Sequence, residues 1–213
     1  MNAAIRTAPA TILIAGVTAV VSLLVTLFGY EQHAALYAGF MPARASLGFG
    51  GDVPGLVPVM LTPLTSALVH GGPLHLLFNL VMLVFCGVAA ERALGARGIV
   101  VLYLAGAYAA CAAQWLVEPQ SPVPMIGASG AASAIVGAYA LLYGRQKTRD
   151  FGPVPGWLLH VAWLFAAWTA LNLAVGVLAW QSGIGIAAAA HVGGFLAGLI
   201  LCRPLLLWRW RGA

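Results

Sequence analysis

Charge is what this chain has least of. Asp, Glu, Lys and Arg make up 7% of its 213 residues, while apolar residues make up 62%. Soluble domains carry about 25% charged residues, and so few charges cannot wet a surface of this size, so a water-soluble globular fold is excluded. Acids are rarer still, five against ten basic residues, for a formal net charge of +5. The excess does not describe a nucleic-acid binder, because the basic residues stand singly or in threes at the ends of apolar runs and form no phosphate-binding face. Cysteine is equally sparse: Cys86, Cys111 and Cys202 lie inside apolar segments at unrelated spacings. An odd count without Cys-x-x-Cys argues against a disulfide framework and against a zinc site. His-Glu-x-x-His and a glycine-rich phosphate loop are also missing, so the sequence implies no metal and no cofactor.

Long apolar runs are what it does have. A bilayer core takes roughly 20 apolar residues per helix. That ruler marks six spans: Thr11–Phe28, Leu74–Ala93, Gly98–Val117, Ser129–Tyr143, Trp157–Leu178 and Ala187–Leu207. The expected fold is all-α, a single polytopic membrane domain over residues 1–213. The first run exceeds the roughly 7–15 apolar residues of a signal peptide and reads as a retained helix. Between the first two spans, 29–73 stays apolar but carries Pro42, Pro54, Pro58, Pro63 and Pro73. These break any continuous helix, and the segment is expected to form a structured loop lying partly in the membrane interface.

The basic residues orient the spans. Arg6 precedes the first, Arg92 and Arg97 separate the second and third, Arg145, Lys147 and Arg149 follow the fourth, and Arg203, Arg209 and Arg211 close the chain. Arg44 falls on the opposite side. The positive-inside rule then places both termini in the cytoplasm, so spans two, four and six start at the outer face and run inward. Each carries polar chemistry near that end: His75 and Asn79 in the second, Ser129 at the start of the fourth, His191 about one turn into the sixth. His75 and Asn79 stand four apart, hence on one helical face. Polar groups inside a span are costly and face a protein interior or a watery cavity, which points to one shared cavity.

A serine hydroxyl becomes a nucleophile when a neutral imidazole takes its proton. Spans four to six contain no Asp or Glu to orient the ring, so Ser129 and His191 would form a Ser-His dyad. Acyl transfer also needs donors for the developing oxyanion. His75, Asn79 and the Ser129 N–H at a helix N-terminus can supply them, and Gly127 and Gly130 allow close backbone approach. A bland reading stands beside this one. "GASGAAS" resembles small-residue helix packing, as does the Gly194-x-x-x-Gly198 pair, and Asn79 can simply bond two helices. The context Gly-x-Ser-Gly-Ala lacks the last glycine of a soluble hydrolase elbow. His160, near Trp157 and Trp163, fits an interfacial aromatic belt.

At "HGGPLHLLFN" (70–79), "ERALG" (91–95), "GASGA" (127–131) and "AHVGGFLAG" (190–198) the sequence resembles the rhomboid family of intramembrane serine proteases. The resemblance implies Ser129 as nucleophile and His191 as general base. It also implies His75 and Asn79 as oxyanion stabilisers with Gly127 beside the nucleophile, and a structural role for His70. Family substrates are membrane-anchored proteins cut near the outer face. The expected partners are therefore transmembrane-segment substrates and membrane lipid, with no nucleic acid. The expected location is a bacterial inner membrane with the site opening outward. The chain departs from the family pattern twice. Leu61 and Thr62 stand where a Trp-Arg pair is common, and Ser133 stands four after the nucleophile, where some members carry a Tyr that packs on the catalytic His. The rival expectation is an inactive rhomboid-like chaperone or adaptor, which needs neither nucleophile nor base.

Overall fold

The computed structural model describes residues 8–48, 54–144, 148–181 and 185–211. Arg6, Arg145 and Lys147, three of the charges used to orient the spans, lie outside the described residues. Within those residues the chain is helical, with isolated bridges from Phe40 to Met125 and from Phe151 to Val154. Helix α1 (Pro9–Leu27) is followed by three short helices of the first loop, α2 (Glu31–Ala38), α3 (Pro42–Leu47) and α4 (Thr62–Thr65). Turns of 3₁₀ type at Val59–Leu61 and Ser66–Leu68 flank α4, and then come α5 (Pro73–Val117), α6 (Ser129–Tyr143), α7 (Gly156–Gln181) and α8 (Ala188–Arg209). Pro9, Pro42, Pro63 and Pro73 sit in first turns, where the missing N–H has no intrahelical partner to lose.

Helices α1, α5, α7 and α8 are long and apolar enough to cross a bilayer, and the chain is an integral membrane protein. Their surfaces invert the soluble pattern. Leu13, Phe78, Phe85, Leu116 and Ile200 are exposed, whereas Thr11, Thr18 and Ser22 are buried. Such a surface is stable only against lipid.

Helix α5 covers the second and third expected spans in one run. Straight, its 45 residues would reach about 67 Å, twice the roughly 30 Å of a bilayer core. Gly95 interrupts it with φ 77° and ψ 166°, leaving helical segments 73–94 and 96–117. Only glycine enters that region without strain. The carbonyls freed by the break are taken up from the end of α8. Arg209 Nη1 donates to Glu91 O at 3.0 Å and Arg92 O at 2.7 Å, and Trp210 Nε1 donates to Ala93 O at 3.3 Å. The buried Glu91 side chain works in the other direction, on the N-terminus of α1. It accepts from the backbone of Ala10 at 3.0 Å and from the backbone and hydroxyl of Thr11, both at 2.7 Å. A carboxylate there satisfies orphan N–H groups and complements the helix dipole. "ERALG" thus ties α1, α5 and α8 together.

Helix α6 is the centre of the packing, between α5 and α8. Its first half, Gly130 to Ile135, is buried. Small residues let the backbones touch: a Cβ on Gly194 would strike Gly130 O, and one on Gly198 would strike Ala134 O. Fifteen residues reach only about 22 Å, short of the roughly 30 Å of a bilayer core.

The first loop holds the approach to α6. Phe40 and Met125 exchange backbone hydrogen bonds of 3.0 and 2.7 Å. Gly127 N–H donates to Ser66 O at 2.9 Å. Where the family pair is missing, Leu61 is exposed and Thr62 is buried with its hydroxyl on Val59 O at 2.6 Å. A guanidinium enters the loop from elsewhere: buried Arg44 donates through Nη2 to Val57 O at 2.7 Å.

Candidate active site

Ser129 is the first residue of α6, and His191 lies in the first turn of α8. Although 62 residues apart in sequence, they meet: His191 Nε2 is 2.8 Å from Ser129 Oγ. The direction of that bond follows from the other ring nitrogen. His191 Nδ1 is 2.8 Å from Asn172 Oδ1, on α7. Asn172 Nδ2 donates to Trp168 O at 3.0 Å, which fixes which end of the amide is oxygen. An amide oxygen only accepts, so Nδ1 carries the proton and Nε2 is the acceptor for the Ser129 hydroxyl. Trp168 adds a second tie, its indole N–H donating to His191 O at 3.2 Å while its ring stacks on Phe195 at 4.8 Å.

His75 approaches from α5. Gly71 N–H donates to its Nδ1 at 3.2 Å, so in the neutral ring Nε2 carries the hydrogen. That end lies against Gly127: a Cβ on Gly127 would stand 2.8 Å from His75 Nε2 and 3.8 Å from Ser129 Oγ. The missing methyl therefore leaves a small space between a hydroxyl and an N–H donor. Gly127 also has φ +110°, which other residues rarely adopt. Its own N–H is already spent on Ser66 O, so what it contributes beside Ser129 is room. Asn79, buried one turn beyond His75, gives one hydrogen of Nδ2 to His75 O at 2.8 Å and has a second to give. The Ser129 N–H, at the start of α6, has no partner within its own helix.

His70 is fully enclosed in the loop ahead of α5 and does not touch Ser129. Its Nε2 accepts from Ala128 N–H at 3.2 Å, so Nδ1 carries the hydrogen and donates to Ser22 Oγ of α1 at 2.7 Å. Ser22 in turn donates to Leu68 O at 2.9 Å. Burial, and then the neighbouring His75, push His70 down to about 4 from the usual 6.5. The remaining residues singled out in the sequence are structural in position. Gly130, Gly194 and Gly198 are contact points between helices, and Ser133 donates its hydroxyl to Ser129 O at 2.7 Å.

A cavity of about 220 Å³ opens over these groups. Phe78, Asn79 and Met82 of α5 line one side, Trp168, Asn172 and Val175 of α7 the other, with Ser129 and His191 between them. It lies between two helices that are both long and apolar enough to cross a bilayer. A hollow near Ala96, Val100 and Trp208 contains none of these polar groups.

Sequence reasoning missed Asn172 and Trp168. An amide in an otherwise apolar run was the available signal, since polar groups in spans need a reason to be there. Its pairing with His191 depends on how α7 leans on α8, which no local pattern reports.

Residues 59–208 match the family model described as the rhomboid domain. The chain is similar to RHOMBOID-like protein 5 of Arabidopsis thaliana, 31% identical over 65% of this chain and 41% of that protein. It is similar to Rhomboid protease GlpG of Pectobacterium atrosepticum, 30% identical over 64% of this chain and 45% of that protein. It is also similar to Rhomboid-related protein 2 of Mus musculus, 29% identical over 62% of this chain and 43% of that protein. The chain thus spans less than half the length of these curated relatives.

Proposed function

The chain belongs to the rhomboid family, and on that premise we propose that it is an intramembrane serine endopeptidase cutting transmembrane or membrane-anchored proteins. The observation that carries this reading is the 2.8 Å hydrogen bond from Ser129 Oγ to the unprotonated Nε2 of His191. An adaptor that only binds membrane segments has no use for a hydroxyl aimed at a basic nitrogen of the correct tautomer. Nor does it need a donor-lined space beside that hydroxyl.

In the proposed reaction His191 Nε2 takes the Ser129 proton as Oγ attacks the peptide carbonyl. Negative charge then grows on the carbonyl oxygen in the space that Gly127 leaves open. His75 Nε2–H, the second hydrogen of Asn79 Nδ2 and the Ser129 N–H are the donors this reading assigns to it, each worth roughly 10²–10³ in rate. Imidazolium His191 passes its proton to the leaving amine, and water entering the cavity hydrolyses the acyl enzyme by the reverse sequence. A peptide bond in an intact helix is shielded and its carbonyl already bonded, so substrates should carry Gly, Ser, Ala or Pro near the cut, where the helix is short or easily unwound.

The proposed topology has six crossings, with the Gly95 break turning α5 back on itself and α6 as a short central crossing. Both termini lie in the cytoplasm and the site opens to the outer side of a bacterial inner membrane. Arg92, Arg97, Arg149, Arg203, Arg209 and Arg211 support this orientation by the positive-inside rule.

The test uses a single-span reporter with an outward-facing tagged ectodomain, expressed with this chain. Expected is release of the tagged ectodomain on the outer side, abolished by Ser129→Ala, and fluorophosphonate labelling of the purified protein that is lost in His191→Ala. Release that persists in Ser129→Ala would sink the proposal.

A further inference from the structure

Resting on the proteolytic reading above, we propose that Asn172 is a positioning residue for His191, so that the working unit is a Ser129-His191-Asn172 triad and not a bare dyad. The contact is direct, 2.8 Å from Asn172 Oδ1 to His191 Nδ1, and both partners are constrained. Asn172 is only 7% exposed, and its Nδ2 is anchored to Trp168 O, so the amide cannot turn its oxygen away without leaving a buried donor unpaired. Trp168 and Asn172 stand four apart on one face of α7, and each holds a different part of His191: the indole its backbone carbonyl, the amide its ring.

The chain needs such a device because of what stands four residues after the nucleophile. Ser133 turns its hydroxyl to Ser129 O and has no ring to lay against the imidazole. The plane and tautomer of His191 are set from α7 instead. An imidazole free to carry its hydrogen on Nε2 would present a donor to Ser129 and could not take its proton. The amide oxygen of Asn172 removes that alternative. Being neutral, it orients the base without adding charge, the logic of the Cys-His-Asn arrangement in another protease class.

Full-length protein in detergent, with the single-span reporter, provides the test. Asn172→Leu keeps the volume and removes the acceptor. Its kcat should fall about ten- to hundredfold, no more than the lower end of the roughly 10²–10⁴ that a general base supplies, with KM within about twofold because substrate is not held by this amide. Asn172→Asp restores an acceptor and adds negative charge beside the imidazole, which favours its protonated form. It should recover most of the activity at high pH, with the acid limb of kcat/KM moved to higher pH than in the wild type. A side chain at 172 that only packed between helices, away from the ring, would not move that limb.

Wild-type protein that neither labels with fluorophosphonate nor cuts the reporter would defeat the proteolytic reading and this inference with it. Wild-type activity with an unimpaired Asn172→Leu would defeat the inference alone. So would equal losses in the Leu and Asp variants. If Asn172→Leu fails to fold, the Asp variant decides by itself, an unmoved acid limb overturning the contact on which the positioning role rests.

Discussion

At the residue scale, Gly127 carries the sharpest constraint. Its φ of +110° and the 2.8 Å separation between its absent Cβ and His75 Nε2 make two independent demands for glycine. Gly127→Ala places a methyl where the oxyanion would form and pushes His75 away from Ser129. The expected loss in kcat is about 10²–10³, the value of one oxyanion donor. Fluorophosphonate labelling should fall in parallel because it needs the same space. A Gly127→Ala protein that folds, by melting temperature, and retains wild-type kcat would rule out that space as the oxyanion site. The reading of Gly127 as a neighbour of the nucleophile was legible from "GASGA". That its N–H is committed to Ser66, and so unavailable to substrate, was not, because Ser66 belongs to a loop whose fold the sequence pattern does not report.

At the scale of elements, the register between α6 and α8 decides whether Ser129 meets His191. That register is set by backbone contact: Gly194 faces Gly130 O, and Gly198 faces Ala134 O one turn further along. Gly194→Val would force the helices apart at the turn that carries His191. Misplacement of catalytic groups by about 1 Å costs on the order of 10²-fold. Activity should drop by about that factor while the far end of α8, held by Arg209 on the Glu91 and Arg92 carbonyls, stays in place. Reporter cleavage, alongside a cross-link between cysteines introduced near residues 95 and 209, separates the two effects. Cleavage at wild-type rate in a folded Gly194→Val protein would show that the close approach does not set the site. The Gly-x-x-x-Gly spacing announced a packing face, but its partner was open until α6 was seen to present bare carbonyls to it.

At the scale of the whole molecule, His70 in the first loop joins two parts that are distant in sequence, α1 through Ser22 and the entry to α6 through Ala128, and Ser22 bonds the same loop again at Leu68 O. It lies in the loop outside the helices, and burial holds it near 4, below its unfolded value of 6.5. The neutral form is the one that fits, since Nε2 must accept from Ala128. Between those two values the unfolded chain binds the proton and the folded one does not, so stability rises with pH across the window. The contribution is complete above about 6.5 and is lost as pH falls towards 4. Thermal unfolding in detergent should therefore show a melting temperature that declines from pH 7 to pH 4, and His70→Gln should flatten that decline. An unchanged slope in the variant would remove His70 as the cause.

The sequence by itself determined the solvent of the fold, because 7% charge cannot cover a soluble surface. It determined the helical runs through hydrophobic length and the prolines at their starts. It also marked Ser129, His191, His75 and Asn79 as polar exceptions in apolar surroundings, which pointed to one shared cavity. The tertiary structure alone decided the tautomers, the commitment of the Gly127 and Ala128 N–H groups, and the presence of Asn172 beside His191. Those properties depend on hydrogen bonds between helices whose relative lean is set by close backbone packing. Periodicity and composition describe a helix facing its solvent, and a hydrogen bond across the bundle is a property of the neighbour.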